Sequence, residues 1–140
     1  MKAIWGHLLA AAIVLMSATG CTQQDEAAMA PLDEGDVVHS GLGPAEASNL
    51  ERFDAFLAVT GSGGDDAVRI VATTEEGDPV YTDISYAAGT YVVYFDNTED
   101  GYGTQERKKA AECTELVKTD RPDEFQEYAC GDYSFMVKDF

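Results

Sequence analysis

Basic side chains are scarce in this chain. Nine Lys+Arg stand against 26 Asp+Glu, a formal charge of −17 at neutral pH. A surface of that sign repels phosphate backbones and anionic headgroups, so nucleic acid is excluded as a partner. Solubility is the plain reading of the acidity, with a cationic partner or metal ion as the alternative. Histidine is nearly missing as well. Beyond the amino-terminal leader only His39 remains, and there is no His pair and no C-x-x-C, so zinc has no support. None of Ser40, Ser48, Ser62, Ser85 or Ser134 sits in a nucleophile elbow. The Gly-rich stretch Gly61 to Gly64 is followed by Asp65 and Asp66 and no Lys, which excludes a phosphate-binding loop. These absences point away from an enzyme and from any cofactor. A long apolar run is also lacking: Leu8 to Met16, as a helix, spans only about 14 Å, against roughly 30 Å for a bilayer core.

That short run reads as the apolar region of a secretory signal, with Lys2 as its positive flank. Ser17, Ala18, Thr19 and Gly20 follow, then Cys21. The segment resembles the lipobox of bacterial lipoproteins, in which the Cys is thioether-linked to diacylglycerol and becomes the first residue. It departs at Ala18, where Leu is usual. Residues 1–20 are thus expected to be a lipoprotein leader and Cys21 the lipidation site. Lipidation would place the chain on the extracytoplasmic face of the cell membrane. The other reading is an ordinary secretory signal with an unrelated Cys nearby. Acylation of Cys21 leaves Cys113 and Cys130 as one even pair in a disulfide-permissive compartment.

Residues 21–35 are polar, acidic and small, and predict a flexible tether; a single domain follows over 36–140. Val37-Val38 starts a short strand. Ser48-x-x-Glu51 has the form of a capping box, followed by Leu50, Phe53, Phe56 and Leu57 at helical spacing, so a helix is predicted over 48–59. Runs 67–73, 80–86 and 90–95 alternate as strands, separated by the turns Glu76-Gly77-Asp78-Pro79 and Ala87-Ala88-Gly89, which predicts an antiparallel meander. Thr104–Glu112 reads as a short helix or a loop. Runs 113–118 and 125–130 suggest a hairpin centred between Arg121 and Pro122, which would set Cys113 opposite Cys130. Two independent buried thiols are the alternative. A last strand is predicted over 134–137. The fold class is α+β, one amphipathic helix packed on a mainly antiparallel sheet, a meander plus a C-terminal hairpin.

Taken in order, GDVV at 35–38, NLERFDAF at 49–56, VRIVATTEEGDPVYTDISY at 68–86, YFDNTEDGYG at 94–103, and Cys113 with Cys130 resemble the domain-of-unknown-function family numbered 4362. The likeness covers most of residues 35–131. It implies a small extracytoplasmic lipoprotein domain of Gram-positive bacteria with a paired Cys, and it carries over no catalytic residue.

Two features carry candidate chemistry. Asp96, Thr98 and Asp100 place oxygen ligands at alternate positions with Gly101 at the sixth, as a calcium loop does, but Arg107 stands where the closing Glu would be. A polar turn is the competing reading. Tyr81, Tyr91, Tyr94 and Tyr102 crowd the meander and suggest an exposed interaction face, with core packing as the alternative. The function expected is a monomeric, membrane-anchored, non-catalytic module that binds a protein or small ligand. A calcium-dependent ligand module is the rival reading, and a hydrolytic enzyme stands third.

Overall fold

The structure is a computed structural model that describes residues 32–119 and 121–138. Cys21 and the leader lie outside the described residues. A 3-10 turn over Glu34–Asp36 is the first element among the described residues, capped by Asp33, whose side chain accepts from the Gly35 amide. This turn straddles the boundary expected between tether and domain. Strand β1 follows at Val37–His39, then helix α1 at Leu50–Gly61. Strands β2 (Asp66–Thr73), β3 (Pro79–Ala87), β4 (Thr90–Asp96) and β5 (Arg107–Cys113) complete a five-stranded sheet in the order β1-β2-β3-β4-β5. Strands β6 (Val117–Thr119), β7 (Phe125–Cys130) and β8 (Tyr133–Lys138) form a separate antiparallel sheet. The α+β class and the meander are as the alternation predicts.

Strand β1 runs parallel to β2, with Val38 beside Ile70. Two parallel neighbours need a crossover, and α1 supplies it. The helix starts differently from the sequence reading. No Ser48–Glu51 capping box forms. Ser48 instead pairs with His39 through two backbone hydrogen bonds of 3.0 and 3.2 Å. Asn49 takes the N-cap position in the left-handed region (φ 56°), and its amide donates to the carbonyls of Gly35 and Val37. Arg52 then ties three elements together, bonding Asp36, both oxygens of Asp66 and the Ala67 carbonyl.

The segment expected as a short helix or loop is instead strand β5 over its second half. Backbone pairing with β4 decides this, since Arg-Lys-Lys-Ala-Ala carries no apolar alternation. A bulge between Val93 and Tyr94 shifts the register there. The expected C-terminal hairpin exists but in another register. Val117 opposes Ala129 and Thr119 opposes Glu127, so the two strands centre on Asp123 and not on Arg121-Pro122. Cys113 lies outside that hairpin. It ends β5 beside Tyr91, while Cys130 ends β7.

The core forms where α1 and the small sheet sit side by side on one face of the large sheet. Phe53 and Phe56 of the helix meet Val68, Ile70, Ile84 and Val93 from below and Tyr128, Phe135 and Val137 from the side. The Phe53 ring stands edge-on to Tyr128 at 5.0 Å and to Phe135 at 6.0 Å. Between β1 and α1 the chain presses on β2 at Gly43. Its φ is +75°, and a Cβ there would collide with the Thr73 carbonyl oxygen, so only glycine fits.

Candidate functional site

Two regions carry the polar and aromatic residues singled out above, and a third is new. The first is the outer face of the large sheet, opposite the core. Cross-strand pairing aligns Arg69 with Asp83 and Asp83 with Tyr94, and in the next row Tyr81 with Asp96 and Asp96 with Arg107. Asp83 is wholly buried and held from two sides. Arg69 grips both its oxygens, at 2.6 and 2.8 Å, and Arg107 approaches at 3.4 Å. The Arg69 guanidinium lies over the Tyr81 ring at 4.7 Å and that of Arg107 over Tyr94 at 4.8 Å. The hydrogen bond to Asp83 pushes the Arg69 pKa further up. Tyr81 donates its hydroxyl to Glu99 at 3.0 Å, and partial burial together with that carboxylate raises the phenol.

The tyrosines therefore divide. Tyr81 and Tyr94 do share the outer face, though Tyr94 is buried under Arg107. Tyr102 is 83% exposed, on the loop that follows β4. Tyr91 does not belong to this face, which corrects the sequence reading. Side chains alternate along a strand, so Tyr91 and Tyr94, an odd number of positions apart, point opposite ways. Tyr91 is 7% exposed and donates to the Thr60 hydroxyl at 2.8 Å, under α1.

The second region is the loop 97–106, expected either as a calcium site or as a turn. Asp96 Oδ1 accepts from both the amide and the hydroxyl of Thr98, and Asp96 Oδ2 faces Arg107 at 3.4 Å. Asp100 Oδ1 accepts from the amides of Tyr102 and Gly103. Burial works to raise the Asp96 pKa, but the Thr98 hydrogen bonds and Arg107 outweigh it, and the carboxyl lies below its ordinary value. These oxygens are occupied within the loop and by a guanidinium, as in a polar turn. Among the described residues no three His, Cys, Asp or Glu side chains converge on a metal position. Asn97, 6% exposed, is the hub, bonding Thr104 and the Glu106 amide through its side chain. Gly101 donates to Asp78, which joins this loop to the Glu76–Pro79 turn. Two of the segments that carry the family likeness, 68–86 and 94–103, are thus in contact.

The third region was not anticipated. Where β8 passes over the large sheet, a cavity of about 180 Å³ opens. Ile70, Ala72, Val80, Phe95, Phe135 and Met136 line it, and the hydroxyls of Thr82 and Tyr133 bond each other at 3.0 Å in its wall. It exists because the small sheet stops at β8. The Lys138 amide donates away from β7, to the Ser40 carbonyl, so by antiparallel alternation Met136 and Ser134 also face away from β7. No sequence periodicity announces such a gap, because its walls come from three strands of one sheet and one of another.

Cys113 and Cys130 are joined by a disulfide, with Cα atoms 5.5 Å apart. The pairing is as the cysteine count indicates, but its job is different: it staples the large sheet to the small one and not the two arms of a hairpin. His39 sits in β1, its backbone paired with Ser48. Among the described residues no helix is long and apolar enough to cross a membrane.

A helix and a small sheet packed on one face of a five-stranded sheet, stapled by a disulfide and leaving an apolar cavity, define a small α+β domain with a concave site. The family described as "Domain of unknown function (DUF4362)" matches residues 34–128, and the chain belongs to it. Comparison with curated proteins and with solved structures finds no match.

Proposed function

We propose that the chain is an exported lipoprotein, anchored through Cys21 on the extracytoplasmic face of a bacterial cell membrane, and that its domain is a non-catalytic binding module. The observation that carries the binding role is the cavity under β8. Small-molecule sites are typically concave and mostly apolar with a few polar groups that fix orientation. Here the paired hydroxyls of Thr82 and Tyr133, with Ser134 nearby, interrupt a mostly apolar wall. The leader, the small residues before Cys21 and the even cysteine pair beyond it support export and anchoring.

Toluene tests the site: resonances of Ile70, Val80 and Met136 should move on saturation while those of the outer sheet face stay put. An unmoved cavity would count against the binding role. The anchor has its own test. Cys21→Ser should abolish lipid labelling and shift the protein from the membrane fraction to the medium, or leave it unprocessed. Wild type and variant fractionating alike would remove the anchor from the proposal.

A second reading assigns protein recognition to the outer face. The Arg69–Tyr81 and Arg107–Tyr94 stacks favour it, since Arg and Tyr are enriched among the residues that dominate interfaces.

A further inference from the structure

The cavity's rim says which ligand chemistry it suits, given the binding role above. Lys108 is the cross-strand neighbour of Phe95, and its ammonium lies 5.9 Å from the centroid of that ring, which lines the cavity. We propose that the cavity takes a small monocarboxylate bearing a single aromatic ring or a branched aliphatic group of similar bulk. The apolar group sits among Ile70, Ala72, Val80 and Phe95, and the carboxylate faces Tyr133, Thr82 and Lys108 at the rim.

Size argues for one ring. Apolar cavities of about 150 Å³ take up benzene, and this one is slightly larger and open on one side. The head group follows from the donors. Thr82 and Tyr133 share one hydrogen between them, which leaves one hydroxyl proton to offer an acceptor. Burial pushes the Tyr133 phenol up, so it stays protonated and remains a donor. Lys108 acts on the Tyr133 phenol against burial, so a cation stands near the rim in a protein whose net charge is strongly negative. Lys108 also contacts Glu106 at 2.6 Å, but both side chains are about half exposed. Such a pair is worth little in water, and the ammonium is able to swing to a second carboxylate.

The test uses the exported chain carrying Cys21→Ser, so that no detergent competes for the cavity. Hydrocinnamate, its neutral amide and phenethylamine are titrated while the resonances of Ile70, Val80, Phe95 and Met136 are followed. Hydrocinnamate should bind with a Kd at or below about 1 mM, the amide about tenfold more weakly and the amine more weakly still. Lys108→Met should erase the preference, bringing the affinity for the acid down to that for the amide. Thr82→Val should weaken the acid about fivefold, and Ala72→Phe should abolish binding of both by filling the space. Native dispersion of resonances far from the cavity shows that each variant has folded. Equal affinity for acid and amide, or a Lys108→Met protein that keeps the preference, overturns the carboxylate assignment while leaving a binding module in place. Cavity resonances unmoved by acid and amide at about 10 mM and by saturating toluene overturn both.

Discussion

Arg69→Met should be among the most damaging single changes on the outer face, and Asp83→Leu should partly rescue it. Asp83 has no exposed side-chain surface, and Arg69 supplies its two short hydrogen bonds. Bonds to charged groups contribute roughly 1.5–3 kcal/mol each. Removing both costs about 3–6 kcal/mol before compensation. Arg107 remains at 3.4 Å, and Arg69 is itself 32% exposed, so screening takes a share. The net cost expected is about 3 kcal/mol, at the low end for a buried pair broken from one side. Asp83→Leu leaves no buried charge. Both guanidiniums are about a third exposed, can turn to water and keep their tyrosine rings, so its cost should be about 1 kcal/mol. The double variant should then be more stable than Arg69→Met alone. Urea unfolding with unchanged m-values measures all three. A cost for Arg69→Met below about 1 kcal/mol, or a double variant weaker than that single one, would refute the view that an uncompensated carboxylate is the source of the loss.

Phe53→Ala should cost about 3–5 kcal/mol by denaturant unfolding, because Phe53 is 3% exposed and meets Phe56, Tyr128 and Phe135; a loss under about 1 kcal/mol would mean the helix does not anchor the two sheets. Cys130→Ala should cost about 3 kcal/mol through the loop closed across 17 positions, and intact mass of the non-reduced protein, alkylated at once, should show no free thiol at Cys113 or Cys130. Asp96 has a folded pKa below its unfolded value, so its contribution to stability is full above about pH 4 and is lost as pH falls through the folded value. The urea midpoint of wild type should accordingly fall more steeply on acidification below about pH 4 than that of Asp96→Asn, and parallel curves would contradict the assignment.

Where a residue's neighbours in sequence are also its determinants, the sequence alone was enough. The alternation of Val68, Ile70 and Ala72 against Arg69, Val71 and Thr73 marks a strand with one buried face, and β2 buries that face. Strands β3 and β4 and the helical spacing of Phe53 and Phe56 were legible for the same reason, and three cysteines with one assigned elsewhere leave a single pair. What depended on distant segments was not legible. Strand β5 is an edge strand of exposed Arg107, Lys108 and Lys109, with no apolar period to read, and only hydrogen bonding to β4 makes it a strand. Ser48 offered itself as a helix cap, but a partner at His39 was available to it, and a cap competes with any other bond the chain can reach. The burial of Asp83 between two arginines, the inward turn of Tyr91 and the cavity under β8 each need strands from different parts of the chain to be brought together. Side-chain period is a local property of the backbone, whereas cross-strand register and the gap between two sheets are set by which surfaces pack, and that is decided only when the whole core forms.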